Sequence, residues 1–163
     1  MFDNNAEDLY SANPQQLGKT AHADIDDFKE EKPDVLKGCY VISNKLGIYG
    51  KIDTYYWQQH KLVESKYEIK TLYKGYYYQI WCQYYALSEM GFVVSELQFY
   101  SIKDNKIYPI PIPTVADYEE LKRHIKKIAW FDFEQELTVN PEKCKHCIYA
   151  SLCDKTQYEH VYS

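Results

Sequence analysis

The sequence predicts a mixed α/β fold in which helices pack on a small central sheet. Segments of helical and of strand character alternate along the chain, and its 163 residues suffice for one compact domain. An apolar share of 45% with 26% charged residues is typical of a protein with a hydrophobic core. These features exclude a multidomain, disordered or coiled-coil protein.

The first half of the chain predicts one helix and three strands. Pro14 is typical of a first helical position, and apolar residues recur at helical spacing as far as Lys29, so this helix carries His22. Residues 38–56 are rich in β-branched and aromatic side chains around two glycines, which predicts two strands and a turn. Residues 61–67 predict a third strand.

The second half predicts a helix, a hairpin and another helix. Residues 72–90 have apolar side chains with a period of 3.6 and end at Gly91, which predicts a helix. Tyr73, Tyr76 and Tyr77 follow this period, so we expect them to pack in the core rather than to stack on bases. Asp104-Asn105 separates two apolar segments and indicates a hairpin, in which Pro109 and Pro111 favour a sheet edge for the second strand. A further helix is expected over 116–130.

Charge limits how the chain can bind nucleic acid. It has 19 basic and 24 acidic residues and a formal net charge of -5, so any contact with DNA must be local. Two groups of basic residues are candidates, one on the last helix and one near the C-terminal cysteines: Lys122, Arg123, Lys126 and Lys127, then Lys143 and Lys145. Taken alone, both groups are more typical of a solvated surface than of a DNA-binding site.

The segment from Gly50 to Lys70 contains a candidate active site. If Tyr56 and Lys61 close a hairpin, Asp53 faces Glu64 across two strands, where opposite Cβ atoms are roughly 4.5–5.5 Å apart. Lys66 shares a face with Glu64 because strand side chains alternate. Two carboxylates and a lysine suit a hard cation such as Mg²⁺ or Mn²⁺ beside a phosphate. Spacing alone favours the alternative, a surface hairpin with charges in water.

Several motifs in this order resemble the RecB-like branch of the PD-(D/E)xK nucleases. They are His22 in GKTAH, Asp53, Glu64-x-Lys66, and Gln79-x3-Gln83 on the following helix. With the tail Cys144-x2-Cys147-x5-Cys153, the chain resembles the CRISPR-associated nuclease family known as Cas-four, particularly the short form of type V systems. The resemblance implies a restriction-endonuclease-like core over 1–138, with a small mixed sheet flanked by helices. A cysteine-rich cluster motif over 139–163 is expected to pack on the same domain.

The resemblance also implies roles for these residues. His22, Asp53 and Glu64 would bind the catalytic Mg²⁺ or Mn²⁺, and Lys66 would be catalytic. Gln79 and Gln83 lie one helical turn apart, so their amides could steady the metal site or a nucleotide. We place Gln79 with the catalytic residues and Gln83 with the DNA contacts; a polar flank on a buried helix is the alternative for both.

The chain has five cysteines, and three of them are grouped near its end, which suits a metal or cluster site better than disulfides. In the family these three are ligands of a 4Fe-4S cluster, and the fourth cysteine lies upstream, so we expect it outside this chain. Zn²⁺ with His146 or His160 as fourth ligand is the alternative. Cys39 and Cys82 are expected to be small core residues.

The expected function is a metal-dependent deoxyribonuclease. The resemblance implies that it processes single-stranded or 3'-overhang prespacer ends during CRISPR spacer acquisition, with the Cas-one integrase and Cas-two as partners. Two alternatives are a stand-alone RecB-like exonuclease of phage or repair origin, and a noncatalytic Fe-S or zinc adaptor that recognises DNA beside the integrase. Lacking a signal peptide and an apolar run of ~18 residues, the chain is expected to be cytoplasmic, without membrane contact.

Overall fold

The computed structural model of the protein describes residues 34–132, 134, 139–145, 147 and 149–153. The chain divides into two compact units, which are described separately. The first unit is Gly18–Trp130, and the second combines Met1–Leu17 with Phe131–Ser163. The helix predicted to carry His22 lies outside the described residues. The division of the chain between 138 and 139 stays a prediction.

In the described part of the first unit, strands precede and follow a long helix. The elements in chain order are β1 (Val35–Lys37), β2 (Tyr40–Ser43), β3 (Ile48–Lys51), β4 (Thr54–Tyr56), β5 (Lys61–Lys66), α1 (Lys74–Glu89), β6 (Glu96–Ser101), β7 (Lys106–Ile110) and α2 (Val115–Ala129).

Five of the strands form a mixed sheet in the order β1-β4-β5-β6-β7. Strands β5 and β6 are parallel and the other neighbours are antiparallel. A parallel pair needs a long crossover connection, and helix α1 supplies it. This confirms the prediction of a mixed α/β fold with a small sheet flanked by helices.

The segment predicted to hold two strands is part of a longer, bent ribbon. Strand β1 pairs with β4, and β2 pairs with β3, in one continuous register. The ribbon thus has two arms, β1–β2 and β3–β4, and each arm is interrupted at the same level. At this level the Gly38 nitrogen donates to the Asp53 carbonyl and the Ile52 nitrogen to the Cys39 carbonyl, both at 3.0 Å. Gly38 has a φ of +60°, which favours glycine. Strands β2 and β3 confirm the predicted two strands around a turn, but the prediction missed β4, which the bend separates from β3.

The hairpin between β4 and β5 has the predicted register. Tyr56 pairs with Lys61 and Thr54 with Val63 around a turn over 57–60. Asp53 directly precedes this ladder, one residue beyond the last pair. The predicted register of the hairpin is thus confirmed from Thr54 to Val63, and the pairing of Asp53 with Glu64 stays a prediction.

Both helices bury apolar side chains against the strands. Ile80 and Leu87 of α1 and Leu121 of α2 join Tyr55, Leu62 and Phe99 in one core, and each is at most 1% exposed. Each side chain of this size contributes about 1.5–3 kcal/mol when fully buried. The core therefore holds α1 against the strands that carry the candidate site.

Helix α1 ends as its sequence predicts. Gly91 has a φ of +93°, its nitrogen donates to the Ser88 carbonyl at 3.1 Å, and the Phe92 nitrogen donates to the Leu87 carbonyl at 3.0 Å. These two bonds form a Schellman motif, which satisfies carbonyls that the last turn leaves open.

The second hairpin and the second helix also follow the prediction. Strand β7, which contains Pro109, lies at an edge of the sheet, where a missing N–H costs no ladder bond. Thr114 and Asp117 form a capping box at the start of α2.

The described part of the second unit contains a short helix, α3 (Pro141–Cys144), and a 3-10 turn over Ala150–Leu152. The Asn140 side chain accepts from the Glu142 nitrogen at 3.0 Å and so caps α3. Among the helices of the described residues, none has the length and apolar character required to cross a bilayer.

Candidate active site

The candidate site lies where β4, β5 and α1 meet. Strand β5 carries Glu64 and Lys66, and Asp53 lies at the bend before β4. Helix α1 carries Gln79 and Gln83 one turn apart, so both amides face the same strand. The structure therefore brings together five of the residues that the sequence predicted for this site.

Glu64 is at the centre of the group and is only 2% exposed. Its Oε1 accepts from Lys66 Nζ at 2.7 Å and from Gln79 Nε2, and its Oε2 accepts from Gln83 Nε2 at 2.7 Å. A buried carboxylate is tolerated only when it is paired and hydrogen-bonded. One ammonium and two amides supply those partners, which excludes the alternative of a surface hairpin with this carboxylate in water.

Lys66 is held from three directions. Besides Glu64, its Nζ donates to Gln79 Oε1 at 2.7 Å and lies 5.3 Å from the ring centroid of Tyr76. The side chain is 18% exposed, so the ammonium is oriented yet still reached from outside. Tyr76 was predicted as a core residue, and it does pack against the core; its contact with Lys66 was missed. Its position three residues before Gln79 was the available signal.

The carboxylate of Asp53 is attached directly to β5. Its Oδ2 accepts from the backbone nitrogen of Ser65 at 2.7 Å. Because Ser65 is the residue after Glu64, this bond holds the Asp53 carboxylate beside the strand that carries the other acid. Sequence patterns did not indicate this use of the Ser65 backbone.

Gln83 is 6% exposed and joins Glu64 to the bent ribbon. Its Nε2 also donates to the Lys51 carbonyl at 3.3 Å. Its Oε1 is buried and has no hydrogen-bond partner among the described residues. Exchanging the amide atoms would place an oxygen against the Glu64 carboxylate, so the carboxylate dictates this orientation. The structure thus shows Gln83 supporting Glu64; the predicted contact of Gln83 with DNA stays a prediction.

The donor set of this site fits a hard divalent cation. Mg²⁺ is usually bound by one or two carboxylates together with waters and phosphate oxygens, and Asp53 and Glu64 offer two carboxylates. The unsatisfied Gln83 Oε1 is an acceptor that a metal-bound water would satisfy. Within the parts of the chain that the structure describes, no three His, Cys, Asp or Glu side chains are grouped to hold a metal ion. His22, the predicted third ligand, lies outside those parts.

A cavity of about 440 Å³ opens beside Gln79. Its other walls include Tyr78 and Cys82 of α1 and Leu121 and Ile125 of α2. Pockets of roughly 300–1,000 Å³ are typical of small-molecule sites. The amide that bridges Lys66 and Glu64 therefore borders a space of ligand size.

The three C-terminal cysteines follow one another through short turns. The Cys147 nitrogen donates to the Cys144 carbonyl at 3.1 Å, and the Cys153 nitrogen donates to the Ala150 carbonyl at 3.3 Å. Cys144 is buried, Cys147 and Cys153 are exposed, and all three are free thiols. These three described thiols are not grouped as metal ligands, and the 4Fe-4S or zinc site stays a prediction. His146 and His160 lie outside the described residues.

The other two cysteines behave as predicted. Cys39 and Cys82 are half-buried and pack against the core. Burial raises the pKa of the Cys82 thiol to about 11. Such a thiol is a small core side chain rather than a nucleophile or a ligand.

The predicted DNA-contacting residues lie at the surface. Arg123, Lys126 and Lys127 of α2 are exposed, and so are Lys143 and Lys145 of the second unit. Lys122 is half-buried, with its Nζ 5.9 Å from the Tyr118 ring centroid. Their contact with DNA stays a prediction.

An aromatic side chain directly before α1 departs from the prediction. Tyr73, which the helical period assigned to the core, is 61% exposed at the start of α1. The helix begins one residue later, so Tyr73 lies outside the packed helical face.

Comparison with known proteins identifies a fold and no family. No protein-family model matches the chain, and no curated protein matches it. A solved structure described as "Crystal structure of SSO0001" is similar, with a TM-score of 0.61 and 15% sequence identity, over 90% of this chain and 73% of that chain. At this identity the similarity concerns the fold alone: the chain shares the mixed α/β architecture of that structure.

Proposed function

We propose that the protein is a metal-dependent deoxyribonuclease with a PD-(D/E)xK active site. The observation that supports this most is the meeting of Asp53, at the bend before β4, with Glu64 and Lys66 on β5. Gln79 and Gln83 are both directed onto the Glu64 carboxylate. A buried carboxylate persists only with such partners, and two carboxylates beside a lysine are the groups that a divalent cation and a phosphate require.

Asp53 and Glu64 would hold Mg²⁺ or Mn²⁺, which when bound acts as a Lewis acid on a phosphodiester and lowers the pKa of a coordinated water. The chain itself orients the participants. Gln83 and Gln79 fix the Glu64 carboxylate, and the Ser65 nitrogen fixes that of Asp53.

Lys66 supplies a positive charge at the same place. Its ammonium is already oriented by Glu64, Gln79 and the Tyr76 ring, so little reorganisation is needed when negative charge develops on a phosphate oxygen. We assign Lys66 to stabilising that charge.

The biological role we propose is the trimming of prespacer DNA ends during CRISPR spacer acquisition. The resemblance of the motifs to the Cas-four family supports it, and the Cas-one integrase and Cas-two would be partners. A net charge of -5 agrees with DNA binding that is shared with other subunits. A 4Fe-4S cluster in the cysteine tail, or Zn²⁺ in its place, and a cytoplasmic location belong to the same proposal.

The test is cleavage of end-labelled single-stranded and 3'-overhang DNA with Mn²⁺ or Mg²⁺. We expect cleavage by the wild type and a loss of about 10²–10³-fold in Lys66→Ala and in Asp53→Asn. Lys61→Ala is the matched control, because Lys61 is on the same strand but lies over the Tyr56 ring, away from Glu64.

Three results would contradict the proposal or a part of it. Full cleavage by both variants would show that the chemistry lies elsewhere. Metal-loaded wild type that binds DNA without cutting it would favour the noncatalytic adaptor. Active protein that does not associate with the Cas-one integrase or Cas-two would instead favour the stand-alone exonuclease.

A further inference from the structure

The ribbon formed by β2 and β3 has one buried and one exposed face. Val41 and Ser43 point inward and are at most 4% exposed. The outward residues are aromatic, aliphatic and basic: Tyr40 (77% exposed), Ile42 (49%), Tyr49 (85%) and the exposed Lys51. We call these four residues the ribbon face.

The register places the ribbon face in two cross-strand pairs that are neighbours on the same side of the ribbon. Tyr40 is opposite Lys51, and Ile42 is opposite Tyr49. The two tyrosines are therefore diagonal neighbours, which are roughly 7–8 Å apart in an antiparallel pair. That spacing is near two steps of about 3.4 Å along a stacked nucleic-acid strand.

The charge around the ribbon face is unusual for this chain. Residues 35–52 include three lysines and no acidic residue, although the whole chain has a net charge of -5. Glu89 reaches the turn between β2 and β3, where it accepts from Ser43 Oγ at 2.6 Å and from the backbone nitrogens of Asn44 and Lys45. Since Ser43 is on the inward face, Glu89 is bound on that side of the ribbon, and the outward face carries the two phenol rings.

The ribbon face also leads to the candidate site. Lys51 is two residues before Asp53, and its carbonyl oxygen accepts from Gln83, which holds the Glu64 carboxylate. A strand bound along the ribbon would therefore approach the two carboxylates from the bend.

We propose that the ribbon face binds single-stranded nucleic acid. Tyr40 and Tyr49 stack on bases, Ile42 packs between them and Lys51 contacts a phosphate. The role of this contact in feeding a strand to the acidic site rests on the proposed nuclease function; the binding itself does not. A protein partner fits less well, because a stable interface takes roughly 20–30 residues a side.

The test is fluorescence anisotropy of labelled oligothymidylate in EDTA, so that no cleavage occurs. We expect the double variant Tyr40→Ala, Tyr49→Ala to bind at least about 25-fold more weakly than the wild type, since each lost stack weakens binding roughly 5-fold or more. Tyr40→Phe, Tyr49→Phe keeps the rings and should bind like the wild type. Ile107→Ala, an exposed apolar change on β7, controls for a general surface effect.

Unchanged affinity of the alanine double variant would overturn the proposal. So would a wild-type dimer in size-exclusion chromatography that the same variant dissociates, because the face would then join two copies of the chain. Circular dichroism checks folding, which we expect to be intact because both rings are largely exposed.

The binding assay separates this inference from the nuclease proposal. If the wild type cuts no DNA but the alanine double variant loses binding, the nuclease proposal fails and the ribbon face stands. If the wild type cuts DNA and the double variant binds and cuts equally well, the ribbon face alone fails.

Discussion

Replacing Lys66 by methionine should destabilise the protein by removing the cation beside a buried carboxylate. Lys66 Nζ lies 2.7 Å from Glu64 Oε1, and Glu64 is 2% exposed. Removing one partner of a buried pair costs about 3–5 kcal/mol. Because Gln79 and Gln83 still donate to the carboxylate, we expect the lower end, about 3 kcal/mol. At ~2–4 °C per kcal/mol for a chain of this length, the melting midpoint falls by roughly 6–12 °C.

The second half of this prediction is a rescue. Adding Glu64→Gln to Lys66→Met removes the uncompensated charge, and replacing both members of a buried pair is often close to neutral. We therefore expect the double variant to recover most of the lost stability while remaining inactive. Lys103→Met is the control, since Lys103 and Glu68 form a pair at the surface, whose loss should not measurably change the midpoint.

Thermal and urea unfolding monitored by circular dichroism measure these differences. The reasoning would be refuted by a Lys66→Met variant as stable as the wild type, or by a double variant no more stable than Lys66→Met. Either result would mean that Glu64 is not a buried carboxylate that depends on the lysine.

Three further predictions concern other parts of the chain. The hydrogen bond from the Ser43 hydroxyl lowers the pKa of Glu89. The Glu89 carboxylate therefore contributes to stability above about pH 4.5, and this contribution is lost as the pH falls through the lowered pKa. Glu89→Gln should flatten the dependence of the melting midpoint on pH in that acidic range. Burial raises the pKa of Cys82 to about 11, so its thiol should react slowly at pH 8. After treatment with a chelator, a maleimide should modify the exposed Cys147 quickly and Cys82 only on unfolding, and peptide mass spectrometry would show the difference. Thr114→Ala removes the side-chain cap of α2 and should cost about 1 kcal/mol in urea unfolding, whereas Thr114→Ser should retain the cap and nearly all of the stability.

The hairpin that carries the candidate site was predictable because its determinants are local. A turn over 57–60 fixes which residues pair, and the alternation of side chains along β5 then places Glu64 and Lys66 on one face. The bend before Asp53 was not predictable to the same degree. It depends on Gly38, fifteen residues earlier in the chain, and on backbone bonds that form only when the two arms meet.

The aromatic residues show the same difference. The helical period correctly indicated that Tyr76 and Tyr77 pack against the core, but it also assigned the exposed Tyr73 to it. Periodicity reports which residues share a helical face and does not show where the helix begins. Nor does it show that Tyr76 contacts a lysine on a strand.

By itself, the sequence determined the α/β class, the register of the β4–β5 hairpin, the edge position of β7 and the order of the acidic and basic site residues. Each of these depends on neighbours within a few positions. Tertiary structure decided that Glu64 is buried and that Gln79 and Gln83, fifteen and nineteen residues away, donate to it. It also decided that Tyr40 and Tyr49 stay outside. The physical reason is that burial of a charge depends on what covers it, and the cover here is a helix that must cross over the sheet before β6 can pair beside β5.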